Sequence, residues 1–384
     1  MRTSGLTARR LLLVLTGLVF FTAIYLIRIR GDMADFRVNY QAGARLAAAE
    51  PLYRTEDGHF MFKYLPFSAL VYLPLSYLPI ETAKVMWYVA LVLGTVALFS
   101  LSWTLAPGKS VGRYAYLFAP LILAKFFLRE MKLGQINILV TLVLLGMVWF
   151  LVHTHEDKRD LKRAGLLWGL ATALKPYAVI FFPYFVVTKR WRALLFGCAT
   201  ITMALLVPTI FYGIDGNIGL HREWASTLSQ STPGLFLSND NISIIAFFMK
   251  WTRRQDFSLL LAAVTIASLA VLVLVVIRVG RRLRVPGVLE CSLLLTLIPL
   301  VSPLGWDYTL LMSVLAVTIL VQHYFQYPQS ARALLLANFC VISLSIYDLM
   351  GRSAYGAFMS WSILTINFLI VIAFLVALRF KRLV

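Results

Sequence analysis

The stretch that decides the fold is LLLVLTGLVFFTAIYLIRIRGDMADF, residues 11–36. Its apolar part is long enough to cross a bilayer, because one crossing needs roughly 20 mostly apolar residues. We expect a span and not a cleaved signal peptide, because no small-residue cleavage site precedes the charged loop. Asp32 and Asp35 then lie where the helix leaves the membrane. Only 17 of the 384 residues are acidic, so two carboxylates at this exit indicate a function.

The rest of the chain repeats the apolar pattern. Hydrophobic residues make up 60% of the sequence and charged residues 14%, whereas soluble domains are about half apolar and about a quarter charged. This composition excludes a soluble fold and predicts an all-α polytopic membrane protein, with residues 1–384 as one integral membrane domain. Three cysteines lie singly in apolar runs and are expected to be packing residues: Cys198, Cys291 and Cys340.

The net charge of +19 does not indicate nucleic-acid binding, because the basic residues are spread over short connectors and form no groove-binding helix. Lys and Arg concentrate in cytoplasmic loops, so these connectors predict the topology. The basic clusters are Arg2, Arg9 and Arg10; Lys109 and Arg113; Lys158, Arg159, Lys162 and Arg163; Lys189, Arg190 and Arg192; Arg278, Arg281, Arg282 and Arg284; and Arg379, Lys381 and Arg382.

Placing all clusters inside predicts about twelve spans with both termini in the cytoplasm. The expected spans are about 11–29, 82–106, 114–128, 135–152, 164–175, 177–188, 193–213, 257–277, 288–303, 307–323, 332–349 and 355–378.

Two segments break the regular pattern. Residues 64–80 are apolar but short and contain three prolines, so we expect a membrane-dipping segment of the first outer loop. The spans 164–175 and 177–188 are separated at Lys175-Pro176, where proline disfavours helix and removes a backbone donor. Irregular backbone at membrane depth survives only beside a cavity or within protein.

Two large outer loops follow from this topology. The first, residues 30–81, is expected to carry the catalytic residue, and Phe36 to Ala49 within it read as an amphipathic surface helix. The second comprises residues 214–256. Shorter outer turns are expected at 129–134, 303–306 and 347–355.

Asp35 is the leading candidate for a general base. Transfer of a sugar from a lipid phosphate needs a base for the acceptor hydroxyl and little acid catalysis, because phosphate leaves well. A carboxylate near the membrane surface suffices, and partial desolvation increases basicity. Two alternatives are solvated loop charges, or Asp32 as the cap of the helix beginning near Phe36. Tyr40 lies five positions after Asp35 and shares its helix face loosely.

Lys175 is the leading candidate for binding the phosphate of a lipid carrier. A lysine within an apolar segment is costly and usually faces a cavity or a partner. The alternative is snorkelling of its long side chain to the membrane surface.

The outer turn near residue 130 offers further polar groups. Arg129 and Lys132 could compensate a phosphate, and Gln135 could bond a sugar hydroxyl. A solvated turn is the alternative for Glu130 and Lys132. Asn137 begins a span, where polar side chains more often join helices.

Polar residues in the later outer segments are candidates for the sugar cavity. They are His221, Asn241 and Ser243 in the second loop, followed by Trp306 and Asp307. Asp307 is either a second carboxylate in the cavity or an N-cap after a turn. The sequence contains no phosphate-cradling glycine loop, zinc motif or Ser-His-Asp ordering. We therefore expect no cofactor and no metal-binding residues, and the sequence leaves dependence on a divalent metal open.

An ordered set of short motifs resembles glycosyltransferase family 87, the polyprenyl-phosphate-mannose-dependent transferases. The motifs are Asp35-Phe36 with Tyr40 and Ala42; Pro51-Leu52-Tyr53; Phe62-Lys63-Tyr64-Leu65-Pro66 with Leu73-Pro74-Leu75; Gly134-Gln135-Ile136-Asn137; Ala164-Gly165; Gly169-Leu170-Ala171; Lys175-Pro176; Trp191-Arg192; Asn241-Ile242-Ser243; and Ser302-Pro303 with Trp306. Members often have His after the late Trp, whereas this chain has Asp307-Tyr308.

The resemblance implies a GT-C-type helical bundle whose first outer loop contributes the catalytic aspartate, here Asp35. It also implies a polyprenyl-phosphate sugar donor, usually mannose, used outside the cytoplasmic membrane with inversion at the anomeric carbon. Through the matching motif, Lys63 joins the predicted phosphate-binding residues and Tyr64 the predicted cavity.

Together these patterns predict a membrane glycosyltransferase, a hexosyltransferase acting on a glycolipid or glycan acceptor among membrane lipids. The alternative from the same residues is a lipid-linked sugar flippase, which needs the cavity and Lys175 but no base. A noncatalytic scaffold would leave Lys175 unexplained.

Overall fold

The computed structural model describes residues 15–108, 115–153, 157–280 and 287–381. Of the basic residues used to predict topology, several lie outside the described residues: Arg2, Arg9, Arg10, Lys109, Arg113, Arg281, Arg282, Arg284 and Arg382. Over the described ranges the chain is helical and forms no β-strand, only an isolated bridge between Asn241 and Trp306.

The α-helices are numbered in chain order. They are α1 Leu15–Ile29, α2 Ala34–Ala47, α3 Leu73–Ser76, α4 Ile80–Leu105, α5 Phe118–Leu133, α6 Asn137–His153, α7 Lys158–Leu174, α8 Phe182–Val187, α9 Trp191–Leu206, α10 Thr209–Ser231, α11 Ile244–Thr252, α12 Gln255–Gly280, α13 Val288–Val301, α14 Val314–Gln322, α15 Gln329–Leu344, α16 Tyr347–Ser360 and α17 Ile363–Phe380. Short 3-10 helices cover Thr55–Phe60, Pro66–Val71, Ala115–Leu117, Pro176–Phe181, Pro233–Leu235, Asp307–Ser313 and Tyr324–Gln326.

Three described helices, α4, α12 and α17, are long and apolar enough to cross a membrane. The number rises to five if each of two bent helix pairs is counted as one span. Shorter apolar helices lie at Leu15–Ile29, Asn137–Val152, Pro176–Val187, Val288–Val301 and Asp307–Gln322. The all-helical, membrane-compatible class is confirmed, while the count of about twelve spans stays a prediction.

The irregular segments expected from proline occur where the sequence indicates them. Helix α7 ends at Leu174, Lys175 is extended with φ −142°, and a 3-10 turn starts at Pro176. Residues 64–80 form the 3-10 turn Pro66–Val71 and the four-residue helix α3. Helix α2 lies within two residues of the predicted amphipathic helix and buries Phe36, Ala42 and Leu46.

One predicted span and one predicted turn are wrong, because the helices bend at these places. Residues 193–213 were expected as one span, but α9 ends at Leu206 and α10 leaves at 92° to it. Pro208 lies at this bend and cannot donate to the preceding turn. Residues 347–355, expected as a turn, begin helix α16, which lies at 100° to α15.

The centre of the bundle is formed by helices buried on every side. Every residue of α14 is buried, and only Val301 of α13 is not. A helix that is apolar all round is expected in the core and not at the protein surface. Helices α4, α5, α6, α11, α12 and α17 pack against one or both of these two. The polar groups described next gather at the end where α5 meets α6.

Candidate active site

Helix α2 positions Asp35 in its first turn. The helix starts after Met33, which has a left-handed φ of 61° and donates its N–H to the Lys132 carbonyl at 2.9 Å. Phe36 is buried against Gly134, where an added Cβ would lie 2.6 Å from the Phe36 Cβ. Asp35 is thereby held beside the α5–α6 turn, half-buried, at a helix N-terminus whose dipole stabilises a carboxylate.

Gln135 connects Asp35 to the end of α5. That helix ends at Leu133 and is capped by Gly134 with φ 72°, and Trp87 donates its indole N–H to the Gly134 carbonyl at 2.9 Å. The turn directs the Gln135 side chain toward α2, where its amide nitrogen donates to Asp35 Oδ2 at 2.7 Å. Asp35 and Gln135, a hundred residues apart, are therefore hydrogen-bonded.

The Gln135 carbonyl oxygen accepts two further hydrogen bonds. The Tyr64 hydroxyl donates to it at 2.9 Å and the Lys175 ammonium at 3.2 Å. Lys175 Nζ also lies 3.9 Å from the centroid of the Tyr64 ring, within cation–π range. Four segments far apart in sequence thus bring together Asp35, Tyr64, Gln135 and Lys175, the central cluster. The break at Lys175-Pro176 frees the lysine from the helix surface.

A buried layer supports the central cluster. Glu130, fully buried, accepts from the Asn137 backbone N–H and from the Asn137 amide at 2.9 Å. The Tyr177 hydroxyl donates to Asn137 Oδ1 at 2.8 Å. Glu130 is therefore not the solvated turn residue that was the sequence alternative. The Asn137 side chain joins α5, α6 and the turn after α7, and its predicted contact with a sugar stays a prediction.

Arg129 is held by two carboxylates. Its guanidinium bonds Asp240 at 2.6 Å and also pairs with the buried Asp307. This cluster links α5 to the second loop and to the 3-10 turn after Trp306. Asp307 also accepts from the Tyr308 N–H at 2.7 Å. The predicted role of Arg129 on a phosphate stays a prediction, although both of its terminal nitrogens donate to carboxylates.

Asn241 organises the loop next to this cluster. It is buried, its carbonyl oxygen accepts from the backbone N–H groups of Ser243 and Gly305, both at 3.1 Å, and its amide donates to the Pro303 carbonyl. Ser243 caps α11 through the Ala246 N–H at 3.1 Å. Both side chains are engaged in backbone contacts, and Trp306 beside them is half-buried.

The other predicted site residues make their contacts outside the central cluster. The Tyr40 hydroxyl donates to the Leu78 carbonyl at 2.7 Å, and His221 Nδ1 lies 2.9 Å from the Asn217 carbonyl on α10. Lys132 is exposed and 3.3 Å from Asp32, so Asp32 pairs with Lys132 and does not cap α2, whose N-cap is Met33. Lys63 is half-buried near Asp35; burial lowers its pKa, against the opposing effect of the Asp35 charge.

Sequence reasoning missed the roles of Glu130, Asp240 and Tyr177. Acidic residues are scarce in this chain, and that scarcity was the available signal for both carboxylates. Tyr177 follows the helix break by two residues and carries no signal of its own. Among the described residues no group of three or more His, Cys, Asp and Glu side chains could hold a metal ion.

The apolar helices and the polar cluster at the end of the bundle define a polytopic helical membrane protein with a carboxylate-containing site. The model of glycosyltransferase family 87 matches residues 62–303. The chain belongs to glycosyltransferase family 87. The matched residues include Tyr64, Gln135 and Lys175 and begin after Asp35.

Two curated relatives are similar to this chain. Both are described as polyprenol-phosphate-mannose-dependent alpha-(1-2)-phosphatidylinositol pentamannoside mannosyltransferases. The protein of Mycolicibacterium smegmatis is 26% identical over 214 residues, covering 53% of this chain and 49% of the relative. The protein of Mycobacterium tuberculosis is 28% identical over 246 residues, covering 58% and 54%. The chain thus spans about half the length of the curated relatives it matches. No solved structure matches it.

Proposed function

We propose that this protein is an integral membrane glycosyltransferase that moves a hexose, mannose in our proposal, from a polyprenyl-phosphate carrier to a hydroxyl of a glycolipid or glycan. Family membership and the printed names of the two relatives support this class of donor and acceptor. The distribution of basic residues supports a location in the cytoplasmic membrane with both termini in the cytoplasm and the central cluster on the extracytoplasmic side.

Asp35 is the general base in this proposal. One of its oxygens is bonded to Gln135, and the other accepts no hydrogen bond from the described residues. A half-buried carboxylate with one unoccupied oxygen can accept the proton of an acceptor hydroxyl within hydrogen-bond reach. This observation carries the proposal.

The reaction is a single displacement. The acceptor oxygen forms a bond to the anomeric carbon while its proton passes to Asp35. The bond from the anomeric carbon to the phosphate oxygen breaks, and the polyprenyl phosphate leaves with the electron pair. Attack opposite to the leaving group inverts the anomeric carbon. Lys175 and Lys63 both lie close enough to interact with the Asp35 charge, and they are suited to compensate the phosphate.

The deciding experiment compares Asp35→Asn with Asp32→Asn. Purified variants are incubated with labelled polyprenyl-phosphate mannose and a glycolipid acceptor, and the labelled product is measured. Loss of a general base lowers turnover roughly 10²- to 10⁴-fold, so we expect that loss for Asp35→Asn. Asp32→Asn, which changes an exposed carboxylate three residues away, should retain near-normal turnover. Equal turnover of both variants contradicts the proposal and favours carrier transport without a base.

A further inference from the structure

A basic groove lies between the first turns of α7 and α9. Its volume is about 630 Å³, and its lining combines cations with an apolar side. The cations are Lys158, Arg159, Lys162 and Arg192, and the apolar side includes Trp191 and Phe196. Lys162 Nζ lies 5.0 Å from the centroid of the Phe196 ring.

The groove lies at the other end of the bundle from the central cluster. Helix α7 starts with Lys158 in the groove and ends at Leu174, directly before Lys175. Seventeen residues of α-helix separate the two sites by roughly 25 Å. The groove therefore takes no part in the proposed sugar transfer.

The cations of the groove have no ion-pair partner among the described residues. No described carboxylate forms an ion pair with any of the four cations; Asp160 pairs with Arg163 at 3.0 Å, and Asp157 caps α7 through the Arg159 backbone N–H. Topology alone accounts for cations at this end. It does not account for their arrangement around a cavity with an aromatic side.

Close packing of α7 on α9 preforms the groove. A Cβ added to Gly165 would lie 2.2 Å from the Ala193 carbonyl oxygen, and one added to Gly197 would lie 2.2 Å from the Trp168 ring. Backbones that approach this closely hold the two first turns in one relative position. A ligand would therefore bind without a large ordering cost.

We propose that the basic groove binds the phosphate headgroup of an anionic phospholipid, with the acyl chains along Trp191 and Phe196. Basic pockets between membrane helices recognise anionic headgroups, and exposed Trp is typical of the bilayer interface. Trp191 is 57% exposed, so a lipid chain can reach it. A free inorganic anion would use the cations but would gain nothing from the aromatic side.

The test measures lipid retention by the full-length protein in detergent with native mass spectrometry. Phosphatidylglycerol and phosphatidylcholine with identical acyl chains are the two probes. The variant Lys158→Gln/Lys162→Gln/Arg192→Gln removes three groove charges. The control Arg222→Gln/Arg254→Gln/Arg352→Gln removes three exposed charges elsewhere. The charge-retaining Lys158→Arg/Lys162→Arg/Arg192→Lys tests for simple loss of packing, and thermal unfolding reports on folding.

We expect the unaltered protein to prefer phosphatidylglycerol by about tenfold or more, because each cation near an anionic headgroup contributes to affinity. The groove variant should lose this preference, while the control and the charge-retaining variant keep it. Equal losses in the groove variant and the control overturn the proposal. Displacement of the lipid by millimolar inorganic phosphate also overturns it, because the site then recognises a free anion.

Discussion

At the scale of single residues, Gln135 determines how Asp35 can act. Its carbonyl oxygen accepts from the Tyr64 hydroxyl and from the Lys175 ammonium, and an ammonium can only donate. The amide nitrogen must then face Asp35, because the opposite orientation would oppose donor to donor. The side-chain amide of Gln135 therefore connects the Lys175 ammonium to the Asp35 carboxylate. The sequence predicted that Gln135 binds a sugar hydroxyl, whereas the structure shows it bonded to Asp35. Binding the sugar and positioning Asp35 predict different kinetics for a Gln135 variant.

The first prediction concerns Gln135→Glu. This change keeps the size and the acceptor for Lys175 and Tyr64, but removes the N–H that holds Asp35. If Gln135 positions Asp35, kcat should fall about tenfold or more while KM for the lipid-linked sugar changes little. Steady-state kinetics measure both, with Gln230→Glu on the exposed side of α10 as the matched control. A raised KM with unchanged kcat would instead assign Gln135 to the sugar.

The second prediction concerns pH and Lys63. Burial lowers the pKa of Lys63, so the ammonium loses its proton at a lower pH than an ordinary lysine, whose pKa is about 10.4. If Lys63 binds the donor phosphate, affinity is full at lower pH and declines as pH rises through the lowered pKa. KM for the donor should therefore rise on the alkaline side in the unaltered protein. Lys63→Arg, which stays charged, should abolish the rise; an identical rise in this variant would exclude Lys63.

At the scale of secondary-structure elements, small residues let α7 and α9 pack face to face. Gly165 and Gly169 on α7 lie against the α9 backbone, and an added Cβ at Gly169 would lie 2.6 Å from the Gly197 carbonyl oxygen. Small residues of this kind are typical of close helix contacts in membranes. The contact fixes the direction of α7, and so the position of Lys175 at its end.

The third prediction follows from this packing. Gly165→Ala should destabilise the protein by about 1–3 kcal/mol, because the clashing atom is a backbone oxygen that cannot move aside cheaply. Gly219→Ala on α10, where nothing lies within 4 Å of the added Cβ, should be neutral or stabilising by up to about 1 kcal/mol. Thermal and denaturant unfolding in detergent compare the two. If Gly165→Ala is as stable as Gly219→Ala, then α7 and α9 move apart at little cost and the close contact does not stabilise the protein.

At the scale of the whole molecule, the proposed topology places the central cluster and the basic groove on opposite membrane faces. Exposed Ser229 on α10 belongs to the cluster end in this topology, and exposed Ser330 at the start of α15 to the groove end. A cysteine introduced at each of these two positions therefore reports which membrane face each end of the bundle occupies.

The fourth prediction uses this pair. In a background with Cys198→Ser and Cys340→Ser, which removes the two exposed native thiols, Ser229→Cys should react with a membrane-impermeant maleimide in intact cells. Ser330→Cys should react only after the membrane is permeabilised. The reverse pattern would place Asp35 in the cytoplasm and contradict the extracytoplasmic reaction.

The sequence by itself determined the all-helical membrane class, the amphipathic helix α2 and the break at Lys175-Pro176. These features depend on local physics: the apolar length of a crossing, the period of a helix, and a proline that lacks an N–H. The sequence also selected Asp35, Gln135 and Lys175 one by one. The sharp bends after α9 and α15 were not foreseen, because both sides of each bend are apolar enough to continue a straight span.

Only the tertiary structure decided which polar residues meet. Asp35, Tyr64, Gln135 and Lys175 become neighbours because α2 begins at the level of the bundle where α5 and α7 end. Glu130 looks like a solvated turn residue in the sequence, yet it is fully buried and hydrogen-bonded to Asn137. Hydropathy and spacing describe each segment alone, whereas a hydrogen bond depends on where two distant segments cross.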